Sequence, residues 1–165
     1  ASKSVFALRY PRANVPRFFD DLPKRSFQVG EGEVLFEGTD VTLLALGSLV
    51  EAACKAHVFL KEEGISARVV NMRFARPLDE ALILESVRKT KAIFTVEEHV
   101  LTGGFGSKVL EFLEERRQTQ KPVWRLGLPD EFIEHGSRDA QLEEYGLSAE
   151  KITASVLKEL GRVAK

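Results

Sequence analysis

The chain has a single cysteine, Cys54, so no disulfide can form within it, and that sparing use of thiols fits a reducing compartment. Cys54 falls inside a segment of helical period, where a thiol is expected to be buried and inert rather than nucleophilic. Long apolar runs are also missing. Nothing approaches the ~20 residues of a membrane span, and the first residues carry no apolar signal core. The expectation is a cytoplasmic protein that makes no contact with membranes. An excess of charge is lacking too: 24 Lys and Arg face 25 Asp and Glu, for a net charge of -1. Such a balance points neither to nucleic acid nor to an acidic disordered tail. Only the N-terminal end departs from it. Within residues 1–26, Lys3, Arg9, Arg12, Arg17, Lys24 and Arg25 face Asp20 and Asp21 alone, so an anionic ligand is expected there.

What the chain does have is enough apolar material for one core: 44% of its 165 residues are hydrophobic. From Asp40 onward, apolar runs alternate with segments of helical period. The runs are VTLLALG (41–47), ARVVNMR (67–73), AIFTVEE (92–98) and PVWRLGLP (122–129), and continuous apolarity marks strands covered on both faces. Between them Leu49, Ala53, Ala56 and Leu60 form a helical stripe that ends before Gly64. Asp79 is placed to cap a second helix with Ile83 and Val87 inward. Val109, Phe112 and Leu113 line a third, and Ser148 is placed to cap a last one carrying Ile152, Val156 and Leu160. Strand and helix in alternation predict a three-layer α/β/α domain with a mainly parallel, twisted sheet of about five strands. Residues 1–39 stand outside this alternation. SVFALRYP reads as a short strand stopped by Pro11, and a lone strand must belong to something else, here a short arm from whatever precedes the chain. The absence of an initiating methionine permits such a fragment.

The glycine-rich segment VEEHVLTGGFGSKVLEFL (96–113) suggests phosphate binding, but it fails both established patterns. A dinucleotide fingerprint starting at Gly104 requires glycine where Val109 stands, and a P-loop requires Lys followed by Ser or Thr where the order is Ser107 then Lys108. A helix N-terminus could still hold an anion, yet glycines also serve a tight strand-to-helix turn, and that structural role is the expectation for Gly103–Gly106. Glu97 and Glu98 end a strand where open α/β sheets place their ligands and could pair as acid and base. Successive strand residues point to opposite faces, however, which favours one solvated carboxylate and one bound to a neighbouring helix. His57, His99 and His135 are far apart and near no cysteine pair, so no metal site is expected. Arg12 in RYPRAN follows a proline that fixes the backbone at a strand end, and its planar guanidinium suits phosphate oxygens. Arg73 ends its strand in the same way. For both, a plain surface arginine is the competing account.

RYPRAN, NMRFARPLDEALI, TVEEHVLTGGFGSKVLEFL, RLGLPDEFIEHGS and EEYGLSAEKI, in this order, resemble the C-terminal part of the 1-deoxy-D-xylulose-5-phosphate synthase family over essentially the whole chain. GLPDEFIEHGS is the most specific piece. The resemblance implies a thiamine-diphosphate-dependent transferase of the transketolase superfamily that condenses pyruvate with D-glyceraldehyde 3-phosphate and releases CO2, in isoprenoid and thiamine biosynthesis. It further implies thiamine diphosphate and Mg2+ in the intact homodimer, an active site between the two preceding domains, and a transketolase C-terminal-like fold here. Residues 1–33 would be the tail of the pyrimidine-binding domain with its linker, and residues 34–165 the C-terminal domain. The cofactor motif Gly-Asp-Gly followed by Asn-Asn is missing, since Asn14 and Asn71 are the only asparagines. The chain by itself is thus expected to be inactive, with no cofactor or metal ligand and no catalytic residue. Arg12 matches the family arginine that contacts the phosphate of the acceptor aldehyde, although Ala13 replaces the family's next glycine. No family role transfers to Glu97, Glu98, His99, His135 or the glycine loop. The alternatives are the end of a transketolase or of a 2-oxo-acid dehydrogenase beta chain, and a freestanding interaction module.

Overall fold

Strand and helix alternate as expected in the computed structural model, which describes residues 5–11 and 26–163. The order is β1 (Glu33–Phe36), β2 (Val41–Ala45), α1 (Val50–Glu62), β3 (Ala67–Asn71), α2 (Glu80–Lys89), β4 (Ala92–Val100), α3 (Phe105–Glu115), β5 (Val123–Leu128), α4 (Arg138–Glu144) and α5 (Ala149–Val163). The strands form one sheet in the order β1-β3-β2-β4-β5. Four of them are parallel, and β1 adds an antiparallel edge against β3.

Strand alternation divides the core in two. Val41, Leu43 and Ala45 of β2 face the layer of α1 and α5, with Ala53, Leu60, Ile152 and Val156. Leu44 of the same strand faces the opposite layer, with Ile83 and Val87 of α2 and Val109, Phe112 and Leu113 of α3. Every residue of β2 is buried because helices cover both faces, which is why the run is apolar throughout. Each large side chain buried in this way contributes about 1.5–3 kcal/mol.

The helix signals act through local hydrogen bonds. Asp79 accepts from the Leu82 amide at 2.9 Å and so satisfies a free N–H at the start of α2. Ser148 accepts from the Lys151 amide at 3.3 Å at the start of α5. At the end of α1, Gly64 turns the chain with φ 76°. There the Ile65 amide reaches back to the Leu60 carbonyl at 2.8 Å and the Gly64 amide to Lys61 at 3.1 Å. The end of α3 has the same pair of bonds, Gln118 to Leu113 at 2.8 Å and Arg117 to Glu114 at 2.9 Å. Here, though, the left-handed residue is Arg117, with φ 54°.

The described part of SVFALRYP, residues 5–11, is not a strand. Val5–Pro11 is assigned no regular structure, and Val5, Phe6, Leu8 and Tyr10 are exposed. It joins none of the five strands of the sheet, and a lone strand is not stable without such pairing.

Candidate functional site

In the order β1-β3-β2-β4-β5, β3 lies to one side of β2 while β5 lies beyond β4. The chain therefore leaves the carboxyl ends of β2 and β4 in opposite directions, and that divergence opens the crevice where open α/β sheets place ligands. Three side chains from distant segments meet there. Ser48 follows β2, Glu98 lies in β4, and Arg138 opens α4. Arg138 donates to both Glu98 oxygens, Nε to Oε1 at 2.8 Å and Nη2 to Oε2 at 2.5 Å. Ser48 Oγ donates to Oε2 as well. Burial by itself pushes the Glu98 carboxyl up, but hydrogen bonds from Arg138 and Ser48 and the positive charges of Arg138 and Arg9 outweigh it. The group is held below its usual value. The bond to Glu98 correspondingly raises Arg138.

Strand alternation sends Glu97 to the other face, where it is buried. Its Oε2 accepts from the Phe105 amide at 2.6 Å and its Oε1 from the Gly106 amide at 2.7 Å. The positive end of α3 thus already holds an anion, and the anion belongs to the protein itself. The glycines make this possible. Gly103 has φ 68°, and a Cβ on Gly104 would lie 2.4 Å from both Glu97 Oε2 and the Val100 carbonyl. A Cβ on Gly106 would lie 2.4 Å from Thr95 Oγ1. The loop forms a helix start around a carboxylate and leaves no vacant phosphate cradle. Of the two glutamates, one is bound to a helix as expected, but the other is paired with Arg138 and not merely solvated.

Just past the end of β3, Arg73 is held by partners from the segment that leads into β1. It has φ 53°, forms an ion pair with Glu33, and its guanidinium lies 4.5 Å from the centre of the Phe27 ring. The next residue, Phe74, meets Phe27 edge-on at 6.0 Å and Phe6 of the arm at 6.3 Å. Phe6 thereby meets the carboxyl edge of the sheet beside β3. Arg12, the expected phosphate ligand, and Ala13 lie outside the described residues.

The histidines do not converge. His57 stacks on Phe36 at 4.4 Å and bonds the Ala67 carbonyl, while His99 and His135 are exposed. Among the described residues no group of three or more His, Cys, Asp or Glu could hold a metal ion. The Cys54 thiol is buried and pushed up to about 12 by burial and the nearby Glu51 charge, which leaves it protonated and unreactive. No described helix is long and apolar enough to cross a membrane. Sequence reasoning missed Ser48, Arg138 and the link to Arg9. Their separations from Glu98 in the chain leave no local pattern to read.

A parallel sheet with an antiparallel edge strand, covered by helices on both faces and with its switch point between β2 and β4, defines a domain of the transketolase C-terminal type. Residues 30–152 match the family described as "Transketolase, C-terminal domain", and the chain belongs to that family. It is 44% identical over 151 residues to 1-deoxy-D-xylulose-5-phosphate synthase of Caldanaerobacter subterraneus subsp. tengcongensis, covering 92% of this chain and 24% of the relative. It is 49% identical over 150 residues to the synthase of Syntrophus aciditrophicus, covering 91% and 23%. The chain therefore spans about a quarter of the length of these curated relatives. A solved structure described as a split gene transketolase, inactive beta4 tetramer, superposes with a TM-score of 0.78 at 44% identity, over 89% of this chain and 46% of that one. Transketolase from Campylobacter jejuni shares the fold at a TM-score of 0.58 and 22% identity, over 78% of this chain and 18% of its own.

Proposed function

We propose that this chain is the C-terminal portion of a 1-deoxy-D-xylulose-5-phosphate synthase, inactive by itself, whose assembled form condenses pyruvate with D-glyceraldehyde 3-phosphate and releases CO2. One observation carries this reading: proteins of that name match at 42% to 49% identity over nearly the whole chain. In it, residues 1–33 are the tail of the pyrimidine-binding domain and its linker, and residues 34–165 are the C-terminal domain. The enzyme is a cytoplasmic homodimer. Thiamine diphosphate and Mg2+, which supply the carbanion chemistry, are held by the preceding domains. The helix start beside the switch point does not fit the cofactor's diphosphate, because its Phe105 and Gly106 amides already donate to the Glu97 carboxylate.

Arg12 is the residue of this chain that touches substrate, through charge-assisted hydrogen bonds to the phosphate of the acceptor aldehyde. Removing its side chain costs about 2–3 kcal/mol of acceptor binding. In the assembled enzyme, Arg12→Ala should raise KM for D-glyceraldehyde 3-phosphate far more than KM for pyruvate. Equal changes in both remove the assignment.

The 44% identity to a split gene transketolase supports a second reading, in which the chain completes a transketolase. Pyruvate labelled in its carboxyl carbon separates the two. Acceptor-dependent release of labelled CO2 supports the synthase. Transfer of a two-carbon unit from a ketose phosphate, without CO2, selects the transketolase.

A further inference from the structure

The sheet has two edges, and they are built differently. The β1 edge is blunt: four residues long, opened by Glu33, followed by Glu37, and broken in register between Val34 and Phe36. Short length, charge and irregularity keep an edge from pairing with another strand. β5 has six residues, VWRLGL, and pairs in step with β4 from Val123 to Leu126. Its one charged side chain points back into the domain, where Arg125 Nη1 donates to the Leu101 carbonyl at 2.9 Å and to Ser107 Oγ at 2.8 Å. The Ile93 amide donates to the Pro122 carbonyl at 3.0 Å, so alternation turns the backbone groups of Trp124 and Leu126 toward β4 and those of Val123, Arg125 and Gly127 outward. Among the described residues these outward groups have no partner strand, since β4 is the sole neighbour of β5 in the sheet. Beside them Trp124, Leu126 and Leu128 share one face, half-buried against the core under α1 and α5. Trp124 is the chain's single tryptophan and stacks on Phe94 at 4.9 Å, a rigid aromatic of the kind that anchors interfaces.

We propose that β5 pairs antiparallel with β5 of a second copy of this chain and so continues the sheet across a two-fold axis at Leu126. A two-fold perpendicular to the sheet keeps each face on its own side, so residues set opposite one another must share a face. Centred on Leu126, the axis sets Trp124 against Leu128 of the copy and Leu126 against its own equivalent, which joins the two half-buried stripes into one. Arg125 then lies opposite Gly127 of the copy, where no side chain competes, and the two exchange both backbone hydrogen bonds. Centred on Arg125, the axis would oppose two like charges. The occupant is the strand's own copy because VWRLGL complements itself when reversed, and its outward groups are satisfied by the same groups of the copy. Pro122 and Pro129 end the pairing on either side. Such an interface goes beyond the synthase reading and needs nothing from it, because the edge belongs to this chain whatever it assembles with.

Sedimentation of the 165-residue chain at about 1–100 μM should show a monomer–dimer equilibrium, since an interface of one strand and its flanking stripe is small. Hydrogen exchange should find the Arg125 and Gly127 amides protected in the dimer and released on dilution. Residue 126 faces its own equivalent at the axis, so Leu126→Lys and Leu126→Glu should each weaken the dimer at least about tenfold. Their equimolar mixture should associate at least about tenfold more tightly than either variant alone. A monomer at every concentration overturns the proposal. So does a dimer in which both amides exchange freely, or in which the folded variants gain nothing from mixing, because its interface lies elsewhere. Protection that persists in the monomer overturns it too, by showing that another segment of the chain covers the edge. The exchange measurement is made on the unmodified chain and decides the matter even if the Leu126 variants fold poorly. None of these outcomes touches the release of labelled CO2 by which the synthase reading is judged.

Discussion

Glu97 and Glu98 are neighbours with the same side chain, and the pleat of β4 gives them different work. Glu97 turns inward and neutralises the start of α3 with two backbone hydrogen bonds, while Glu98 turns toward α4 and collects Arg138, Ser48 and the charge of Arg9. Adjacency in sequence suggested an acid–base pair, but opposite faces prevent it. The buried member should matter most for stability. Glu97→Gln replaces an acceptor oxygen with an amide that faces a backbone N–H, and should destabilise the protein by about 2–4 kcal/mol in urea unfolding. Exposed Glu111→Gln should stay within about 0.5 kcal/mol. A small effect at Glu97 contradicts the claim that this carboxylate fills the helix start.

Among the elements, the helices were the most legible. The stripe of Leu49, Ala53, Ala56 and Leu60 runs from the residue before α1 along its buried face, Asp79 caps α2, and Ser148 caps α5, because stripes and caps depend on residues within a turn or two of each other. The strands after Asp40 were legible for a similar reason. β1 and α4 were not singled out: β1 is an edge strand of four half-buried residues, and α4 buries none of its residues, so neither leaves a strong apolar pattern. Helix ends also show where the chain departs from its best local choice. The end of α1 has Gly64 in the left-handed position and the end of α3 has Arg117, whose Cβ makes that conformation unfavourable. Arg117→Gly should raise stability by about 0.5–1 kcal/mol, read as a rise of about 1–4 °C in the melting midpoint. An unchanged or lower midpoint contradicts the account of strain at this cap.

For the molecule as a whole, core and arm are separable. Among the described residues, both core clusters and the hydrophobic side chains packed on them begin at Val34 or later. Among the described residues of the arm, the Phe6 ring meets the rim at Phe74. A chain beginning at Ser26, which keeps Phe27 and the Arg73–Glu33 pair, should melt within about 2 °C of the 165-residue chain. A larger fall in calorimetry shows that the arm contributes to the core.

The sequence alone determined the alternation of strand and helix, the exclusion of nucleotide-binding motifs at Gly103–Gly106, and the family resemblance through RYPRAN and GLPDEFIEHGS. These depend on the identity and near spacing of residues, which a linear chain carries in full. The tertiary structure decided which carboxylate meets which cation. Glu98 receives Ser48 from 50 residues before it and Arg138 from 40 residues after it, and Phe74 receives Phe6 across most of the N-terminal segment. Such meetings follow from strand order, which depends on how two helical layers cover one sheet, and no short stretch of sequence encodes that order.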